Sequence, residues 1–398
     1  MGAGSTQLSV SGTVELQGLT WDHERGRDPL LATAERFEAE TGIRVNWTAR
    51  SLQEFADAPI PVLAQSYDLL VLDHPHLGEV VPTGALLPLD DLLDRDFIAD
   101  QARSSVGPSH ASYEWEGHLW ALAIDAAGHV SAYRPDLLER LGVAPPETWE
   151  DLLALDETAR AAGMSISLPN KAVDTLGSLL TLLANSGTDP YQDEERVAPR
   201  AVALEKLALL ARLTEASPSE AFGWNPILLL EHMAEHDDVV YCPILFGYSN
   251  YSRPGFRRNL IRFRPIPSAG LGARGGVIGG AGLSVSSRCR QLEAAGAYAE
   301  YAASPEVQRT LYVEAGGQPG HRGAWLDPHA NELSCSYFAD TLPGLDAGYL
   351  RPRYDGTLLV QNGGGDMVWE SLRSGSDPSD LLDRLDALYR RSLAGHGG

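Results

Sequence analysis

Aspartate and histidine occur together at three places in this chain: Trp21-Asp22-His23, Asp73-His74-Pro75-His76, and Asp125 with His129. An imidazole beside a carboxylate can hold a divalent metal, shuttle a proton or pair with a charged ligand. The neighbouring negative charge favours the protonated ring, so a cationic wall for an anionic ligand is one expectation. Acid–base chemistry, if the chain performs any, would fall to His23, His74 or His76 working with Asp22, Asp73 or Asp125. Arg50 is placed to reach the same region, where a guanidinium suits a carboxylate or phosphate; its alternative is a surface ion pair with Glu54. Trp21, Trp224, Tyr248 and Tyr251 can cover the apolar face of a sugar ring while Asn250 and the aspartates grip hydroxyls. The plainer reading of Trp21 and Trp224 is that they belong to the core.

These residues matter only if the fold brings them together. Val14 to Leu19 alternates like a strand and leads into Trp21-Asp22-His23. Asp28-Pro29 opens a helix that Thr41-Gly42 ends, with Asp as cap and Pro in the first turn. Ile43 to Trp47 is a second strand, Phe55 to Gln65 a helix-like segment broken by prolines, and Asp68 to Leu72 a third strand. This alternation predicts a parallel sheet with crossover helices, and in such sheets ligands lie beyond the carboxyl ends of the strands. The segments after the first and third strands are those carrying the Asp-His pairs. Gly117 to Ala123 and Val130 to Arg134 read as extended stretches that carry the chain between lobes. Pro135 to Gly142 is a short helix with a glycine stop, and Thr148 caps the next one. After a mostly helical middle, Val239 to Leu245 and Ile261 to Pro265 are strands, and Gly275 to Val285 is a glycine-rich strand that crosses back. Gly279-Gly280-Ala281-Gly282 lacks the lysine and hydroxyl of a phosphate loop, so it predicts close backbone approach at a hinge. Gly363-Gly364-Gly365 reads as a turn.

Composition excludes several classes of partner. The 398 residues exceed one ordinary core and predict two lobes. A formal net charge of -23, unrelieved by a basic run, argues against nucleic acid. No stretch of about twenty apolar residues spans a membrane. Cys242, Cys289 and Cys335 lack metal-ligand spacing and read as buried thiols. Met1 to Gly18 holds neither a basic leader with an apolar run nor a lipid-attachment cysteine, which predicts a cytoplasmic location as written, and a periplasmic or cell-surface one if a leader has been trimmed.

The order of several short motifs resembles the extracellular solute-binding proteins of carbohydrate-type ABC importers, of the maltodextrin-binding kind. The resemblance rests on Gly117 to Leu122, Tyr133, Asp136, Leu137, Leu138 and Gly142, and Pro146 to Leu152. It continues in the Leu86 to Leu93 turn, Ala302 to Gln308, and the Gly316-Gly317-Gln318-Pro319 loop. It implies an α/β, periplasmic-binding-protein-like (type II) fold with hinge strands between its lobes. The first lobe would hold residues 1–124 and 275–325, the second 125–274 and 326–398. A monomer would close on a small polar solute, a sugar or a sugar-like or acidic ligand, and deliver it to an ABC permease with no cofactor or metal. Gln318 joins the expected contacts. The alternative is a cytoplasmic enzyme on the same fold that uses the Asp/His groups for acid–base or metal-assisted chemistry.

Overall fold

The computed structural model describes residues 14–51 and 59–394. The expected two-lobed α/β architecture is present. Its strands are β1 (Glu15–Trp21), β2 (Arg44–Arg50), β3 (Leu69–Leu72), β4 (Glu114–Trp115), β5 (His118–Leu119), β6 (Leu122–Tyr133), β7 (Ser165–Ile166), β8 (Val239–Phe246), β9 (Arg262–Arg264) and β10 (Ile278–Val285). β4 and β5 form a small hairpin, and the others join one sheet in the order β2-β1-β3-β10-β6-β8-β7, with β9 also paired to β6.

β1 runs parallel to β2 and β3, as the strand-helix alternation requires, because parallel neighbours need a crossover. The carboxyl ends of β1 and β3 therefore lie on one side, and Trp21 and Asp73 emerge there. β6 ties the molecule together. Its first residues pair with Leu283 and Gly282 of β10, and its last five lie against β8 and β9. β10 in turn pairs with β3, so β6 and β10 join the β1–β3 part of the sheet to the part holding β7, β8 and β9. Gly280 makes that crossing possible: its φ is 105°, and a Cβ there would stand 2.3 Å from the carbonyl oxygen of Asp125.

One apolar core lies under β1–β3 and the helices Glu24–Thr41 and Leu292–Ala303. A second gathers the helices Trp149–Ala161, Ala172–Asn185, Arg200–Ala216, Thr357–Ser374 and Pro378–Ala394. A third, with Trp325, Tyr337 and Phe338, packs beneath β8 and β9.

Local signals held where they were self-contained. Thr148 caps its helix in a reciprocal box with Asp151, and Gly142 stops the helix before it at φ 70°. Two expectations are corrected. The first long helix begins at Glu24, where the His23 ring nitrogen accepts from the Arg25 N–H, and Pro29 sits inside the helix. Gly363-Gly364-Gly365 lies within the helix Thr357–Ser374. There a Cβ at Gly365 would come 2.6 Å from the Ala172 carbonyl oxygen, so glycine permits close helix packing instead of a turn. Part of the segment Phe55 to Gln65 lies outside the described residues; Ile60–Leu63 is helical.

Candidate ligand-binding site

A cavity of about 330 Å³ opens between the lobes, over the floor made by β6 and β10. Trp21, Asp73, Asp125 and Tyr248, all expected ligand contacts, line it. Topology explains the convergence. Trp21 ends β1, Asp73 follows β3, Asp125 sits on the crossing strand, and Tyr248 follows β8 from the other lobe.

The other expected residues are placed elsewhere. Asp22 is exposed and pairs with Arg27. Arg50 is outside the cavity lining, and Glu54 lies outside the described residues. Trp224 stacks on His232 with ring centroids 4.5 Å apart, next to Asn225 and Pro226, which do line the cavity. The Tyr251 hydroxyl donates to Glu231 at 2.6 Å. Asn250 is buried off the cavity wall. Gln318 is fully buried and serves the backbone: its side chain accepts from the Ser249 N–H at 3.0 Å and donates to the Ala126 carbonyl at 2.8 Å, tying the loop after β8 to β6.

The expected cationic histidine wall is corrected. His23, His74 and His76 do not line the cavity; His23 and His74 are buried and His76 is partly buried. Burial takes the His23 ring down to about 4 despite Glu24, and burial with Arg351 and Arg353 holds His74 well below its usual range. His76 is lowered by burial as well. Loss of solvent disfavours the charged imidazole more than neighbouring carboxylates favour it. Neither these rings nor Asp22 joins Asp73 and Asp125 on the cavity wall. Among the described residues, no group of three or more His, Cys, Asp or Glu is placed to hold a metal ion.

Sequence reading missed much of the remaining wall. Arg25, two residues past His23, sends its guanidinium to Asp125: Nε donates to Oδ2 at 2.8 Å and Nη2 to Oδ1. Nη1 donates to the Gly247 carbonyl at 3.0 Å, and the same group lies 4.6 Å from the centre of the Tyr248 ring. Burial opposes this charge, but Asp125 outweighs it and keeps Arg25 above its ordinary range. From the other lobe come Lys171, Asp174, Asn225 and Phe246, and from the segment after Tyr349 comes Arg351, whose Nη1 donates to Gln361 at 2.7 Å. His129, on β6, also lines the cavity; its Nδ1 is 2.7 Å from the Thr181 hydroxyl, and burial takes it down to about 3.

Asp73 is open to the cavity although protein surrounds it, and this depth in the cleft pushes its carboxyl up to about 6, against the pull of Arg351. The wall therefore offers aromatic faces, carboxyl and amide groups, and one ion pair closed on itself.

Residues 22–226, more than half of the chain, match the family model for bacterial extracellular solute-binding proteins. The chain belongs to this family. Solved structures agree in fold. Maltose-bound MalE3 of T. maritima is 18% identical with a TM-score of 0.79, over 95% of this chain and 99% of that one. An ABC transporter solute-binding protein of Thermotoga lettingae TMO bound with α-D-tagatose is 17% identical with a TM-score of 0.79, over 96% and 100%. One from Agrobacterium vitis S4 with bound D-mannitol is 17% identical with a TM-score of 0.75, over 96% and 99%. No helix among the described residues is long and apolar enough to cross a membrane.

Proposed function

We propose that this solute-binding protein captures a small polyhydroxylated solute, a sugar or polyol, in the inter-lobe cavity, and delivers it to an ABC permease outside the cytoplasmic membrane. The observation that carries this reading is the cavity itself: Trp21, Phe246 and Tyr248 supply ring faces beside Asp73, Asp174, Asn225 and Gln361 in a space of about 330 Å³. Pockets near 300 Å³ suit small ligands buried on most of their surface. Capture proceeds by closure of residues 1–124 and 275–325 against 125–274 and 326–398, with β6 and β10 as the hinge; a ligand that contacts both walls favours the closed state. The relatives found with maltose, tagatose and mannitol support the choice of solute class.

Thermal-shift and calorimetric titration with maltose, D-tagatose, D-mannitol and D-glucuronate tests the proposal. Saturating a true ligand at a hundred times its Kd stabilises the fold by about 2.7 kcal/mol, a clear rise in Tm. No rise and no heat with any of them would sink the sugar-or-polyol reading.

A further inference from the structure

Asp174 lies in the first turn of the helix Ala172–Asn185 and lines the cavity from the lobe opposite Asp73. The residue is only 8% exposed, and among the described residues its buried Oδ2 has no hydrogen-bond partner. The carboxyl in the same cavity that does have a cation, Asp125, is engaged on both oxygens by Arg25. Arg351 is partly spent on Gln361 and on the Ile278 carbonyl. Asp73, exposed on the cavity and attracted by the charge of Arg351, forms no ion pair or side-chain hydrogen bond among the described residues. Among the described residues, the buried Asp174 Oδ2 and the exposed Asp73 carboxyl are thus left without a side-chain donor.

An acceptor buried without a partner destabilises the fold that holds it, and such strain at a cavity wall points to a partner that arrives with the ligand. We infer that Asp174 is a ligand-anchoring and specificity-determining residue, which accepts a hydroxyl of the solute from one wall while Asp73 accepts another from the opposite wall. The solute must then present hydroxyl donors at two separated points, as a polyol or an unprotected sugar does. An alkylated hydroxyl at the Asp174 end would leave a buried carboxyl unmet, and such unmet groups discriminate strongly. The placement also links the two lobes through the ligand, so that Asp174 contributes to closure. The first-turn position suits a carboxylate, since the helix N-terminus favours negative charge, but burial works against it: the Asp174 carboxyl is pushed up to about 8, with Lys171 opposing.

This inference rests on the cavity being the solute site, and the test separates the two. Asp174→Asn, Asp174→Ala and Asp73→Asn are compared with the wild-type chain by calorimetric titration of maltose, D-tagatose and D-mannitol, and by Tm without ligand. The expected result is a loss of affinity between about 10- and 100-fold for each Asp174 variant, with a ligand-free Tm equal to or above that of the wild type. A merely structural carboxyl would give the reverse, a lower Tm with affinity unchanged, and that outcome overturns the inference while leaving the cavity's role intact. Affinity within about twofold of wild type in both Asp174 variants overturns it as well. Failure of the wild type to bind any of the probes instead overturns the cavity reading, and the inference with it.

Discussion

Arg25 and Asp125, a hundred residues apart in sequence, form a two-pronged ion pair in which both side chains are buried. The guanidinium comes from the first turn of the helix after β1 and the carboxylate from β6, so the pair pins that helix to the long central strand. Removing one partner from a buried pair leaves the other charge uncompensated, which is worth about 3–5 kcal/mol. Asp125→Ala is expected to lose stability on that scale in urea unfolding. Arg25→Met combined with Asp125→Leu should recover a large part of it, since the stranded charge is gone. A double variant as unstable as the single one would contradict this account.

Gly280 is expected to tolerate no side chain. Its positive φ disfavours any L residue, and the Asp125 carbonyl occupies the space a Cβ needs. Gly280→Ala should destabilise by roughly 1–3 kcal/mol from backbone strain alone. It should also perturb the hinge, which small-angle scattering with and without a bound sugar would detect as an altered change in shape.

His129 sets part of the acid limb of stability. Its folded pKa, taken down to about 3 by burial, is below the ordinary value, so the neutral ring contributes stability that is present above about pH 6.5 and is lost as pH falls toward 3. One such proton gives a slope of at most about 1.4 kcal/mol per pH unit. His129→Gln should flatten urea-derived stability between pH 6 and 4 relative to wild type; an unchanged slope would show that the ring does not titrate as its burial implies.

Adjacent residues should behave oppositely toward ligand. Asp73 opens on the cavity and His74 is sealed beneath it against Tyr113, with ring centroids 6.3 Å apart. Asp73→Asn is expected to weaken solute affinity about tenfold, the effect of one hydrogen bond to a charged group. His74→Gln should leave affinity within about twofold, with any effect appearing in Tm. Calorimetric titration of both variants decides the matter, and a large affinity loss in His74→Gln would return that ring to the site.

The sequence by itself determined what depends on neighbours along the chain. The Thr148 cap, the Gly142 stop, the apolar β3 and the delivery of Trp21 and Asp73 beyond strand ends follow from local spacing, and the order of motifs was enough to point to the family. Tertiary structure alone decided which polar groups share the cavity and in what state. Arg25 finds Asp125, Arg351 finds Gln361, and the Asp174 Oδ2 meets no donor among the described residues, by convergence of segments that carry no mark of one another in the sequence. The histidines show the same division: their place beside aspartates was legible, but the charge of an imidazole depends on the solvent around it, and burial is a property of the packed fold rather than of adjacent letters.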